Sequence, residues 1–300
     1  MNSNNTKLNK SALIEANFTK SLIRRLPIAL GSFLLVGALP WAANAGEYQF
    51  DLDTRALSTE LNGGQGADQE LETYGATATI YFKPVDDSKG PFSQAAFLSR
   101  ASSVAISSLR TEGDFRQQSV DLTGVFWNRM IVAAEYTDVK SLPEPELQLG
   151  ILVPNRNDNE SYSLGVGVYI TGQQTLTASY RRVEVANTNN DDEEYNLAYK
   201  WLYDDPDKGM RGIDAAVSYG EDIFSWQLGF DFFPTNQFSV GGGVFGENGS
   251  SNDEQGFVFG VDYFFTSRFH LGLQTSRVNF DQGNEFDNIQ SHSVNLGLRL

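Results

Sequence analysis

Hydrophobic positions along most of this chain recur at every second residue. Tyr162, Leu164, Val166, Val168 and Ile170 are separated by Ser163, Gly165, Gly167 and Tyr169. Tyr195, Leu197, Tyr199, Trp201 and Tyr203 alternate with Asn196, Ala198, Lys200 and Leu202. Phe224, Trp226, Leu228, Phe230 and Phe232 alternate with Ser225, Gln227, Gly229 and Asp231. Phe257, Phe259, Val261, Tyr263 and Phe265 face away from Val258, Gly260 and Asp262. Strand side chains point alternately to opposite faces, so each segment predicts one apolar wall and one small or polar wall. Fourteen such strands are expected, near 47–57, 70–82, 99–110, 117–127, 129–139, 161–170, 174–185, 193–203, 210–219, 223–233, 237–246, 256–266, 268–280 and 290–300. Each has the length of a tilted strand crossing a bilayer, about ten residues or slightly more.

A soluble β-sandwich buries its apolar faces, whereas a membrane barrel turns them to lipid and keeps the polar faces on a wet lumen. Two patterns decide for the barrel. Short connectors such as TGQQ and PTNQ alternate with long acidic ones such as ANTNNDDE, GENGSSNDE and FDQGNEFDN. This is the asymmetry of periplasmic turns and extracellular loops. The second pattern is charge. Asp51, Asp53, Arg55, Asp121, Glu135, Arg181, Lys200, Asp214, Asp231, Asp262 and Arg299 share the polar parity and are the candidate pore-lining residues. Arg110, Arg182, Glu184, Arg211 and Arg277 share the apolar parity, but only near strand ends. A charge facing lipid costs about 2–4 kcal/mol at the midplane and little at the interface. The expected fold is therefore all-β: a transmembrane antiparallel up-and-down β-barrel of about fourteen strands, with twelve and sixteen as the neighbouring even counts. A further apolar segment, Leu147 to Val153, breaks that parity and is assigned to a long outer loop over 140–160. Phe82, Phe126, Trp201, Tyr203, Phe232, Phe238, Phe265 and Phe269 cluster beside the short turns, as an interfacial aromatic girdle would.

The N-terminus carries a different signal. An apolar run from Leu26 to Leu39 follows Lys20, Arg24 and Arg25 and precedes Ala43-Asn44-Ala45. That order predicts a cleaved signal peptide over 1–45 and one barrel domain over 46–300. The formal charge of −16 becomes −20 without the basic leader, with 17 basic and 37 acidic residues remaining. Such a balance argues against nucleic acid as a partner. The chain has no cysteine and two histidines, so no disulfide framework, metal centre or cofactor site is expected. Outer-membrane hydrolases need a histidine with a carboxylate or serine in reach. His270 faces inward near one end and His292 shares the apolar parity near the other, so no paired acid–base site is expected.

One stretch carries a resemblance. YFKPVDDSKGPFSQAAFLSRASSV, from Tyr81 to Val104, resembles the signature of a general porin family of Gram-negative bacteria. The resemblance implies an outer-membrane diffusion channel and transfers no catalytic residue. Physically, Pro84, Gly90 and Pro91 force a turn. Ala95 to Leu98 then reads as one short apolar helix or a lead-in packing below the barrel. The C-terminus departs from the usual outer-membrane pattern by ending on Leu300 rather than on Phe or Trp.

A passive, water-filled pore for small hydrophilic solutes or ions is the expected function. The inward charges comprise seven acids and four bases, which predicts weak cation preference. In the long 140–160 loop, Glu144, Glu146, Arg156 and Asp158 are candidate constriction residues, the alternative being a surface flap. Arg110, Arg182 and Arg277 are candidate contacts for lipopolysaccharide phosphates. Expected partners are outer-membrane lipid and lipopolysaccharide, the barrel-assembly machinery and the solutes themselves. The competing function is a non-conducting structural or adhesive barrel with a plugged lumen.

Overall fold

The computed structural model describes residues 46–63, 69–112, 115–141, 146–148, 151–153, 159–185, 191–205, 209–220, 223–249, 254–280 and 286–300. The expected signal peptide, 1–45, lies outside the described residues. Alternation carries the chain through β1 (Glu47–Gly63), β2 (Gln69–Asp86), β3 (Ser103–Thr111), β4 (Phe115–Phe126), β5 (Met130–Ser141), β6 (Glu146–Gln148), β7 (Ile151–Val153) and β8 (Asn159–Thr171). It continues through β9 (Gln174–Val185), β10 (Asp191–Asp205), β11 (Gly209–Gly220), β12 (Ile223–Thr235), β13 (Phe238–Gly249), β14 (Glu254–Thr266), β15 (Phe269–Phe280) and β16 (Phe286–Arg299). Fourteen of these close into an antiparallel barrel in which each strand pairs with its neighbours in sequence. The first and last strands join through Asp51 opposite Arg299 and Ser58 opposite His292. Closure leaves no open edge, which a sheet in lipid requires.

β6 and β7 pair antiparallel as a separate two-stranded sheet within the connector from β5 to β8, so the apolar segment 147–153 stays out of the barrel wall at its described residues. Strand ends differ from the alternating pattern by a few residues. β1 reaches Gly63, where polar cross-strand bonds prolong the ladder past the apolar stretch, and β2 reaches Asp86, where Val85 and Asp86 pair with Tyr48 and Glu47. Ser58 donates to Glu70 (3.1 Å) and Asn62 to Asn288 (3.0 Å). β3 starts at Ser103 rather than near 99, where a short helix intervenes.

The outer wall carries the exposed apolar set, including Ile106, Leu164, Val166, Leu197, Leu228 and Phe259. At the end where β1 begins and β16 finishes, Trp201–Tyr203 and Phe265–Phe269 ring pairs stand 5.8 and 5.5 Å apart. There β4 turns into β5 through Trp127 and Asn128, both with positive φ, closed by Arg129 N–H donating to Phe126 O (2.9 Å).

One residue contradicts simple alternation. Tyr48 belongs by parity to the outward set with Phe50 and Leu52, yet it is 2% exposed and faces inward. The cause is a β-bulge: register shifts between Tyr48 and Phe50, and both Gln49 and Phe50 N–H groups donate to the Leu300 carbonyl. Two residues facing one add an extra position and reverse the face.

Candidate functional site

The lumen is built from the polar parity of the strands. On β1, Asp53 and Arg55 line a cavity of about 400 Å³ together with Ser107, Gln117, Asp262, His270 and Asn295. Charged neighbours meet across the ladder because register sets them opposite one another: Lys200 faces Asp214 (Nζ–Oδ1 3.5 Å) and Arg299 faces Asp51 (Nε–Oδ2 3.0 Å). Arg181 reaches Glu194 at 3.8 Å, and Arg55 lies 3.5 Å from the Ser293 hydroxyl. Several acids take hydroxyl donors instead. Asp121 accepts from Ser119 (3.3 Å), Glu135 from Thr137 (3.0 Å) and Asp262 from Ser239 (3.4 Å). Asp121 and Glu135 stand directly opposite each other on β4 and β5.

Glycines let these side chains lie flat against the wall. Asp231 crosses Gly241, Asp262 crosses Gly272 and His270 crosses Gly297, each at the directly opposed register position. A Cβ at any of the three glycines would collide with that carboxylate or imidazole.

The end of the lumen where β1 begins and β16 finishes is crossed by the connector between β2 and β3, residues 87–102, called the strap below. It holds a 3-10 turn at Asp87–Lys89, a second at Phe92–Gln94 and the short helix α1 (Ala95–Leu98). Asp86 Oδ1 caps the first turn by accepting from Ser88 N–H (3.0 Å). From there the strap reaches the far side of the ring. Phe92 N–H donates to Asn236 O (2.9 Å), and Arg299 Nη1 donates to Phe92 O (2.7 Å). Tyr169 hydroxyl donates to Phe97 O (3.1 Å), and Lys200 Nζ stands 5.2 Å over the Phe97 ring. Phe97 and Leu98 pack on buried Leu202, Met210 and Phe233, whose strands β10 to β12 lie half a ring away from β2 and β3. Ala95 packs on Tyr48 and Val85 at the near side.

Sequence reasoning found the helix over 95–98 but not this crossing. The signal was present as adjacent apolar doublets at one end of five strands: Ile80-Tyr81, Tyr169-Ile170, Trp201-Leu202, Phe232-Phe233 and Phe264-Phe265. One member of each doublet faces lipid and the other meets the strap or its clamp. Arg299 sits 4.8 Å from both the Tyr48 and Phe264 rings, and Phe264 meets Phe92 at 5.7 Å.

A second correction concerns histidine. No carboxylate partner was expected, yet His270 Nε2 lies 2.8 Å from Asp53 Oδ1. β16 stands between their strands, and Gly297 allows the reach. His292 occupies the opposite face, across from Ser58 and Thr275. Of the constriction candidates, Glu144, Arg156 and Asp158 lie outside the described residues, and Glu146 opens β6 opposite Val153. Arg110, Arg182 and Arg277 sit near the strand ends remote from the strap, on the outward face.

A family model described as "Putative general bacterial porin" matches residues 43–223, more than half of the chain. The chain belongs to this porin family. Among solved structures, the porin matches the outer membrane protein Omp33 of Acinetobacter baumannii with a TM-score of 0.63 at 20% identity, covering 86% of this chain and 100% of that one. It also matches the monoaromatic hydrocarbon channel CymD with a TM-score of 0.51 at 8% identity, covering 85% of this chain and 89% of that one. At these identities the likeness concerns the fold. A search of curated proteins finds no match. Family and fold together place the porin in the bacterial outer membrane.

Proposed function

We propose that the protein is an outer-membrane channel for passive diffusion of small hydrophilic solutes and ions, with weak cation preference. The reading rests on a closed wall whose inward acids Asp121, Glu135 and Asp262 are held by hydroxyl groups rather than by basic ones, leaving the lumenal field negative. The strap spans the periplasmic mouth, so solutes pass beside it and it limits their size. No catalytic step is assigned; the His270–Asp53 pair is read as part of the wall. Residues 1–45 are read as the export signal, and the barrel-assembly machinery as the partner that inserts the chain.

The experiment is reconstitution in planar bilayers with a salt gradient, followed by exclusion of neutral sugars of graded size. Stepwise conductance with a cation-selective reversal potential is expected; an anion-selective potential would refute the charge argument. A second reading, a non-conducting barrel, is favoured by the same strap. Absence of conductance steps for correctly folded protein would establish it over the first.

Arg110, Arg182 and Arg277 are read as contacts for lipopolysaccharide phosphates. Arg116 and Lys140 stand in register with Arg110 across β3, β4 and β5, so basic residues share that stretch of the wall. Reversing the charge of Arg110, Arg182 and Arg277 should reduce lipopolysaccharide co-purifying with the protein.

A further inference from the structure

We propose that Asp51, Asp53 and His270 bind one divalent transition-metal cation of the zinc class at the strap end of the lumen. One carboxylate oxygen from each aspartate and one imidazole nitrogen lie within 4.8 Å of one another. The ligands come from β1 and β15, two strands separated by β16. They meet because Gly297 of β16 stands opposite both Asp53 and His270. A side chain at 297 would run into His270 Nε2 and Asp53 Oδ1. Glycine is thus the condition for Asp53 and His270 to meet.

Two buried atoms of the cluster point to a ligand. Asp51 is 6% exposed, and its Oδ2 accepts from Arg299 while its Oδ1 has no hydrogen-bond partner. His270 Nδ1 is likewise buried without a partner. Coordination at Asp51 would relieve the first. The imidazole can supply either ring nitrogen to the ion. Arg299 offsets one carboxylate charge, but Asp262 lines the same cavity as Asp53 and His270 and keeps the field negative.

The donor chemistry selects the ion. One imidazole with two carboxylates suits zinc and its first-row neighbours. Calcium and magnesium prefer six or more oxygens. Three protein ligands leave a coordination position for water. Groups behind the ligands hold their orientation, as they do around metal sites generally. Arg299 fixes Asp51, and the Phe264 ring stacks on His270 at 4.6 Å and 11°.

This site does not rest on conduction, so either proposal can fail alone. The test is isothermal titration of zinc chloride into detergent-solubilised protein purified without a polyhistidine tag. One cation per chain is expected, with excess magnesium failing to displace it. His270→Gln and Asp53→Asn should weaken binding by about tenfold or more. Both are checked for the mobility difference of folded barrels between unheated and boiled samples. His292→Gln, which changes the other histidine of the chain, should bind like the wild type. Cobalt(II) added to the wild type supplies a readout that needs no variant, with visible bands of low coordination number expected. Absence of saturable zinc binding, an unchanged affinity in folded His270→Gln, or a cobalt spectrum like that of the hydrated ion would overturn the proposal.

Discussion

Arg299 illustrates what a single residue carries in this barrel. Its guanidinium holds Asp51, the Phe92 carbonyl and two aromatic rings at once, and both members of the Arg299–Asp51 pair are 8% exposed at their side chains. Removing one partner of a buried pair leaves an uncompensated charge, at a cost of about 3–5 kcal/mol. Arg299→Ala should therefore lower the unfolding free energy by about that amount in urea titrations of the micellar protein. Arg299→Lys should fall between, because an ammonium lacks the fork that engages two acceptors. An alanine variant as stable as the wild type would refute the assignment. Parity alone made both residues inward. It could not pair them, since they are 248 positions apart and meet only through the register of the closing strands. The same applies to His270 and Asp53, 217 positions apart and joined across a glycine.

Among the elements, the strands and the strap differ in how far they were legible. A strand declares itself by a local period of two, so all fourteen were readable, and errors were confined to their ends. The strap has no period. Its helix over Ala95–Leu98 was visible as a short apolar run between turn residues, but its course depends on what it meets across the ring. The partners Leu202, Met210, Phe233 and Phe264 look like breaks in alternation when each strand is read alone. Fully burying such a side chain contributes about 1.5–3 kcal/mol, and the half-buried Phe97 and Leu98 each contribute less than that. The double variant Phe97→Ala/Leu98→Ala should loosen the strap and leave the barrel intact. Larger and noisier single-channel conductance is expected, with unchanged barrel mobility on unheated gels. A conductance equal to the wild type would show that the strap does not limit passage.

At the scale of the whole molecule, the proposed cation preference rests on the summed charge of the lumen. Asp231 and Asp262 lie flat over Gly241 and Gly272 on neighbouring parts of the wall, so their removal changes the field without changing the wall's backbone. Asp231→Asn/Asp262→Asn should shift the reversal potential toward zero. The wild-type preference should itself fade with salt, as the screening length shrinks from about 10 Å at 0.1 M to about 3 Å at 1 M. A preference that survives high salt undiminished would point to a dry constriction instead. By itself, the sequence determined the strands and their number, because each follows from side chains alternating along a local backbone. Only the tertiary structure decided that Tyr48 turns inward, that the strap crosses the mouth and that Asp51, Asp53 and His270 converge. Those outcomes depend on strand register, a bulge and the closure of the ring, which bring together residues that no local pattern relates.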